Sequence, residues 1–381
     1  MLTCQRKLFA IPKDIIYLNS ASYSPLTKYA YQQGLKGLKR KLSPWTVDPE
    51  SFPLETEELR TLFGTLVGAS VDEIAIINST SYGIEIAARN LPLKRMGKII
   101  LLEDQFPSNV LSWRRLAKNT NTTIKFIERP LNYDWTSQIL ENINDSVSIV
   151  SLPPCHWFDG SWIDLEKIGE RCRQVEAAFV VDATQAIGAL PFDVKKVQPD
   201  FLTCSAYKWL LGPYTLAFLY AAPHRRKGVP LELHRWNHCS TAPDITPYSY
   251  NKKLPLNARR YDMGEVNNFL TIPIAIASLK KIIEWGPQSV RDYINPMVNE
   301  VSDKAEERGW SCPKKEYRVS HFIGITPKAP LPKKITPLLN NQNVHISQRG
   351  KGIRVSPNVF NNSENIKTFF DILDQVLVNA R

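Results

Sequence analysis

Short apolar runs punctuate the middle of the chain: KIILL (98–102), VSIVSL (147–152), AAFVV (177–181), FLTCS (201–205) and TLAFLY (215–220). They are apolar on successive positions rather than alternating, the pattern of strands covered on both faces. Most intervals leave room for a helix; DLEKIGERCRQV (164–175) sets Leu165, Ile168 and Cys172 at helical spacing. IAIINSTSYGIEIAARNL (74–91) reads as a strand, a Ser79-Thr80-Ser81 turn and a helix. Alternation of strand and helix predicts an α/β fold with a mostly parallel, doubly wound sheet. The step from 201–205 to 215–220 is too short for a crossover helix, so that pair is expected to be antiparallel, turning at Gly212-Pro213.

A second pattern follows a long helix expected over 270–308. HFIGITP (321–327) reads as a strand and KITPLLNNQ (334–342) as a helix. VHISQ (344–348) and GIRVSP (352–357) suit a hairpin around Arg349-Gly350-Lys351-Gly352, and a last helix starts at Asn362 or Ser363 as cap. At about 150 residues per domain, 381 residues predict two domains. We place a large one over 15–270 and a smaller α+β one over 271–381, on which residues 1–14 pack. The stretch 223–255, rich in Pro, His and Trp, has no period and is expected to be a long ordered loop.

The net charge of +11 admits a nucleic acid, an anionic membrane or a small acidic ligand. Nine basic residues between Lys208 and Arg260, against Glu232 and Asp244 alone, hold most of the excess. No block of five or six like charges occurs, which argues against a nucleic-acid-binding arm. The six cysteines are scattered without C-x-x-C or zinc spacing, so no metal site is expected and a reducing, cytoplasmic setting is the simpler reading. The N-terminus lacks a signal-peptide core, and no run of about 18 apolar residues suggests a membrane span.

Ligands of open α/β sheets sit beyond the carboxyl ends of the strands. Asp182 directly follows AAFVV, with Gln185 three residues on; Lys208 follows FLTCSAY; His156 follows VSIVSLPPC. Each alone reads as a helix cap or a solvated charge, and together they suggest a site. A lysine between Tyr207 and Trp209 just past a buried strand is expected to be desolvated, which lowers its pKa and makes it nucleophilic. A strand-end aspartate can pair with a protonated pyridine nitrogen. The Ser79-Thr80-Ser81 turn at a helix N-terminus offers hydroxyl and N–H donors to a phosphate.

The spacing of NSTSYGI, EDQFPSN, VDATQAIG and SAYKWLLGP resembles fold-type I enzymes of aminotransferase class V. These use pyridoxal 5'-phosphate and include cysteine desulfurases, kynureninases, isopenicillin N epimerase-like proteins and C–S lyases. The resemblance runs from YLNSASYSPL (17–26) to GIRVSPNVFN (352–361). It implies that Lys208 is the Schiff-base lysine, Asp182 the pyridinium partner and Gln185 a contact to the ring's phenolic oxygen. Thr80, Ser81, Ser205 and Tyr207 would hold the phosphate, with a phenol where the family often has His. Phe106 would stack on the ring, and His156 or Trp157 would lie near its phenolic oxygen, His156 being the candidate for catalysis. Arg354 matches the arginine that binds the substrate carboxylate, with Asn19 beside it; a guanidinium grips a carboxylate through two parallel hydrogen bonds. Residues 259–268 resemble a loop reaching the partner subunit's phosphate in a homodimer. Glu265 stands there where many relatives have Thr; a carboxylate would repel phosphate, so Asn267 or Asn268 is the expected donor.

Cysteine desulfurases carry a reactive Cys shortly before the carboxylate arginine, yet 339–353 contains none and the last cysteine is Cys312. The expected function is therefore transamination or β-elimination of an amino acid. Epimerisation is the alternative, with His156, Tyr207 or Tyr261 as second base. A catalytically idle binding protein is a further alternative, against which the joint presence of Lys208, Asp182, Gln185 and Arg354 argues. His224, Arg235, Trp236, His238 and Arg260 are candidates for the side-chain pocket, or else part of a surface loop.

Overall fold

The computed structural model describes residues 2–48, 51–238 and 253–379; residues 239–252, with Cys239 and part of the loop expected over 223–255, lie outside them. The strands are β1 (Ile16–Tyr17), β2 (Ile74–Ile77), β3 (Lys98–Leu102), β4 (Thr123–Ile127), β5 (Val147–Leu152), β6 (Ala178–Asp182), β7 (Phe201–Ser205) and β8 (Ala217–Ala221). Toward the C-terminus come β9 (Ile323–Ile325), β10 (Val344–His345), β11 (Ser347–Arg349) and β12 (Gly352–Val355). The main sheet has the order β2-β8-β7-β6-β5-β3-β4. All its pairings are parallel except those of β8, which runs against both β7 and β2.

Alternate residues of the central strands enter two separate cores. Ile74, Ile76, Leu202, Cys204 and Phe218 face one; Ala75, Ile77, Phe201, Ala217 and Leu219 face the other. That two-sided burial is why the runs are continuously apolar. β4 escaped the sequence reading because it is an exposed edge strand, with Thr123 and Lys125 exposed and Ile127 buried, an alternating and weaker signal than that of the covered edge strand β2.

In the C-terminal part, β9, β12 and β11 form an antiparallel sheet. The expected hairpin exists but is shorter than read: Val344 and His345 leave it to pair in parallel with Ile16 and Tyr17. The long helix expected over 270–308 is two helices, Thr271–Trp285 and Pro287–Glu307. Gly286 between them sits at φ 75°, and Pro287 has no N–H with which to continue the first. In the last helix the cap is Asn362, whose side chain accepts from the Asn365 N–H.

One buried ion pair ties the chain's return from 253 onward to the sheet. Asp262 accepts two hydrogen bonds from Arg60, at 3.0 and 2.9 Å, and one from the Ile76 N–H at 2.8 Å, while Arg60 also donates to the Ile74 carbonyl. Asp262→Ala leaves the buried guanidinium with the Ile74 carbonyl and the partly exposed Glu57 carboxylate and is expected to cost about 3 kcal/mol. The check is a lower urea midpoint at unchanged m; a loss under about 1 kcal/mol would mean that water reaches Arg60.

Candidate active site

Carboxyl ends of β6 and β7 and the segments after β2, β3 and β5 enclose a cavity of about 240 Å³. Of the expected residues, Thr80, Phe106, Trp157, Asp182, Gln185, Ser205, Tyr207 and Lys208 line it. Ser79 of the expected phosphate turn lines it too, as do Asn78, Gln105, Cys155 and Thr184, which were not read from the sequence. Their signal was present in part, since these four lie inside quoted segments: Asn78 in NSTSYGI, Gln105 in EDQFPSN, Thr184 in VDATQAIG and Cys155 at the end of VSIVSLPPC.

The hydroxyls form a knot at the start of the helix Thr80–Asn90. Thr80 Oγ1 lies 2.9 Å from Thr184 Oγ1 and 2.7 Å from Ser205 Oγ, and Thr184 Oγ1 accepts from the Ser205 N–H. Ser79 caps the helix by accepting from the Tyr82 N–H at 3.2 Å. The free N–H groups of the first turn therefore point where an anion is favoured. Ser81 departs from expectation: it bonds Ser79 and faces an outer groove rather than this cavity.

Asp182 ends β6 and is buried, and its carboxylate accepts from the Thr184 N–H at 3.1 Å. Burial raises its pKa, opposed by Thr184 and Lys208. Such a carboxylate lacks a cation at close range, and a pyridinium N–H would supply one. Lys208 is buried, with its Nζ 5.4 Å from the Phe106 ring centroid and 5.6 Å from that of Tyr207. Burial lowers its pKa to about 8, helped by Arg354 and opposed by Asp182. Gln185 is fixed by its neighbours: the indole N–H of Trp209, a donor only, bonds Oε1, which leaves Nε2 to donate to the Ala21 carbonyl. A hydroxyl knot at a helix N-terminus, an uncompensated carboxylate, a desolvated lysine and the Phe106 ring fit pyridoxal phosphate.

Other expectations change. His156 is buried behind the cavity, and Trp157 lines it instead. The Phe158 N–H and Arg129 donate to His156 Nδ1, so Nε2 carries the proton toward the Glu103 carbonyl. Burial lowers the imidazole pKa to about 4, which keeps it neutral. Tyr261 is likewise committed, to the Gly228 N–H and the Arg225 carbonyl. Asn267 accepts from Thr56 at 2.6 Å, Asn268 caps the helix Thr271–Trp285, and Glu265 is exposed at φ 55°.

The basic stretch does not converge on the cavity. His224 and Arg225 pair with Asp200 at the amino end of β7, Arg226 with Glu73, and Arg259 with Glu57 and Asp72. Arg260 bonds main-chain carbonyls, and Arg235 lies over Trp236. The side chain of His238 lies outside the described residues. Arg354 stands beside the cavity rather than in its wall, fully buried, donating to the Trp157 carbonyl at 2.6 Å and to Ser22 Oγ at 2.7 Å. Asn19 joins this group through Ser347, whose hydroxyl bonds Asn19 Oδ1 at 2.5 Å and lies 2.9 Å from that of Ser22.

Residues 49–351 match the family model "Aminotransferase class-V". An uncharacterized aminotransferase of Bacillus subtilis, YcbU, is 25% identical over 96% of this chain and 95% of its own length. Hercynylcysteine sulfoxide lyase of Schizosaccharomyces pombe is 24% identical over 57% of each chain. Among solved structures, C-DES with glycine covalently linked to its PLP cofactor superposes with a TM-score of 0.87 at 16% identity, covering 98% of this chain and all of that one. The cysteine desulfurase of Thermococcus onnurineus gives 0.84 at 19% identity, covering 98% and 97%. With the match spanning most of its length, the chain belongs to the aminotransferase class-V family and is a pyridoxal-phosphate-dependent enzyme of fold type I.

Proposed function

We propose that the protein is a lyase that eliminates a β-substituent, such as a sulfur group, from an amino acid. Pyridoxal phosphate, when bound, withdraws the Cα electrons into its ring. Lys208 takes the proton from Cα and passes it to the departing β-substituent, which leaves as the thiol, and its lowered pKa suits a base that operates near neutral pH. Asp182 holds the proton on the pyridine nitrogen, Phe106 covers the ring face, and Thr80, Ser205 and the helix N–H groups hold the phosphate. Arg354 binds the α-carboxylate.

The observation that carries this reading is that, of the three candidates for a second base, His156 and Tyr261 point away from the cavity, and burial raises the pKa of the Tyr207 phenol in its wall, which keeps it protonated and leaves Lys208 as the base. One-base chemistry disfavours epimerisation. Persulfide transfer has no cysteine in 339–353, and burial raises the pKa of the Cys155 thiol in the cavity, which keeps it protonated. The lyases among the relatives and the structural neighbours agree with elimination. The resemblance of 259–268 to a partner-reaching loop supports a homodimer, and the free cysteines support a cytoplasmic setting. Among the described residues no helix is long and apolar enough to cross a membrane.

The holoprotein, given S-substituted cysteines, is expected to release pyruvate and a thiol in equal amounts. Formation of a keto acid that keeps the substituent, with the cofactor left as its amine, would replace this reading with transamination.

A further inference from the structure

The turn of the β11–β12 hairpin is two residues long, pairing Arg349 with Gly352 and Ser347 with Arg354. Side chains alternate along each strand, so Arg349 and Arg354 stand on one face, diagonal to one another. Both guanidiniums donate to the same hydroxyl, Ser22 Oγ, at 3.1 and 2.7 Å. The Nε of each is buried and has no hydrogen-bond partner. Arg349 donates otherwise only to the Gln348 carbonyl, and its guanidinium lies 5.4 Å from the ring centroid of Trp157, which lines the cavity.

No carboxylate pairs with either arginine among the described residues, in contrast to Arg60, Arg225 and Arg259. Burial depresses the pKa of both, and each charge is felt at Lys208. Two desolvated cations sharing one neutral hydroxyl are unfavourable until anions arrive. One α-carboxylate neutralises one of them.

We propose that the substrate is an amino acid with a second anionic group on its side chain, and that Arg349 binds this group while Arg354 holds the α-carboxylate. The inference rests on the amino-acid reading above and adds the substrate class to it. Arg349 is thus a specificity-determining residue.

The test is titration of the holoprotein's visible cofactor band with L-aspartate against L-asparagine, and with L-glutamate against L-glutamine. At least one acid is expected to bind about tenfold or more tightly than its amide. In Arg349→Gln that preference falls to within about twofold of unity, and Arg349→Lys recovers part of it; an unaltered visible band in both variants reports an intact site. Equal binding of acid and amide to the wild-type holoprotein would overturn the proposal while leaving the amino-acid reading in place. Equal weakening of acid and amide in Arg349→Gln would also overturn it, because both arginines would then serve one carboxylate. If no amino acid moves the band, both readings fall.

Discussion

Lys208→Met is expected to abolish the covalently bound form of the cofactor and to lower turnover by about 10³- to 10⁴-fold or more, since the variant removes both the proposed attachment point and the proposed proton carrier. The same variant is expected to make the cofactor-free protein more stable. Its ammonium titrates near 8 when folded and near 10.5 otherwise. The burial penalty is thus fully present below pH 8 and disappears as the pH rises from 8 to 10.5, where the unfolded chain holds a proton that the folded chain lacks. A shift of that size corresponds to roughly 3 kcal/mol. Urea unfolding of both apoproteins at pH 7 and pH 10.5 should show the gain at the first and little at the second. A variant that loses stability at pH 7 would mean that Lys208 is solvated in the apoprotein. In the wild type, the rate of cofactor attachment should climb with pH and level off above about 8.

Arg354→Gln should leave the visible band of the bound cofactor in place and weaken amino-acid binding by about 2–5 kcal/mol, at least thirtyfold. The loss is expected mainly in KM, because the carboxylate is gripped alike before and during the reaction. Unchanged KM would refute the assignment. Loss of the band would place Arg354 in the support of Trp157, whose carbonyl it binds, rather than in substrate recognition.

The strand-end residues of the candidate site were largely legible in the sequence. Asp182 and Ser205 end strands so uniformly apolar that their boundaries could be read, and Lys208 follows three residues later. Where regularity stops, legibility stops with it. His156 and Trp157 follow Pro153-Pro154 in an irregular segment, so no period tells which faces inward. Gln105 and Cys155 are set by loop geometry, and Thr184 by its hydroxyl's bonds to Thr80 and Ser205. The basic stretch misled because sequence displays charges without their partners; Asp200, Glu73, Glu57 and Asp72 lie apart from it along the chain. In the fold, Gly286-Pro287 was a readable stop inside the expected long helix, whereas the desertion of Val344 and His345 to β1 depends on a segment more than 300 residues away.

The reversed strand β8 has a consequence for the lysine. Because β7 and β8 are antiparallel neighbours, residues 206–216 begin and end at one edge of one sheet, with Ser205 opposite Ala217. Ala206 bonds the Leu216 carbonyl and Gly212 bonds that of Ala206, while Ser278 ties down the Leu211 carbonyl. Lys208 is therefore mounted on a loop clamped at both feet and pinned along its length. Whatever travel the amine would need in the proposed reaction, between releasing the cofactor and carrying a proton, must come from rotation about its own four-carbon stem, so its reach is an arc of fixed centre.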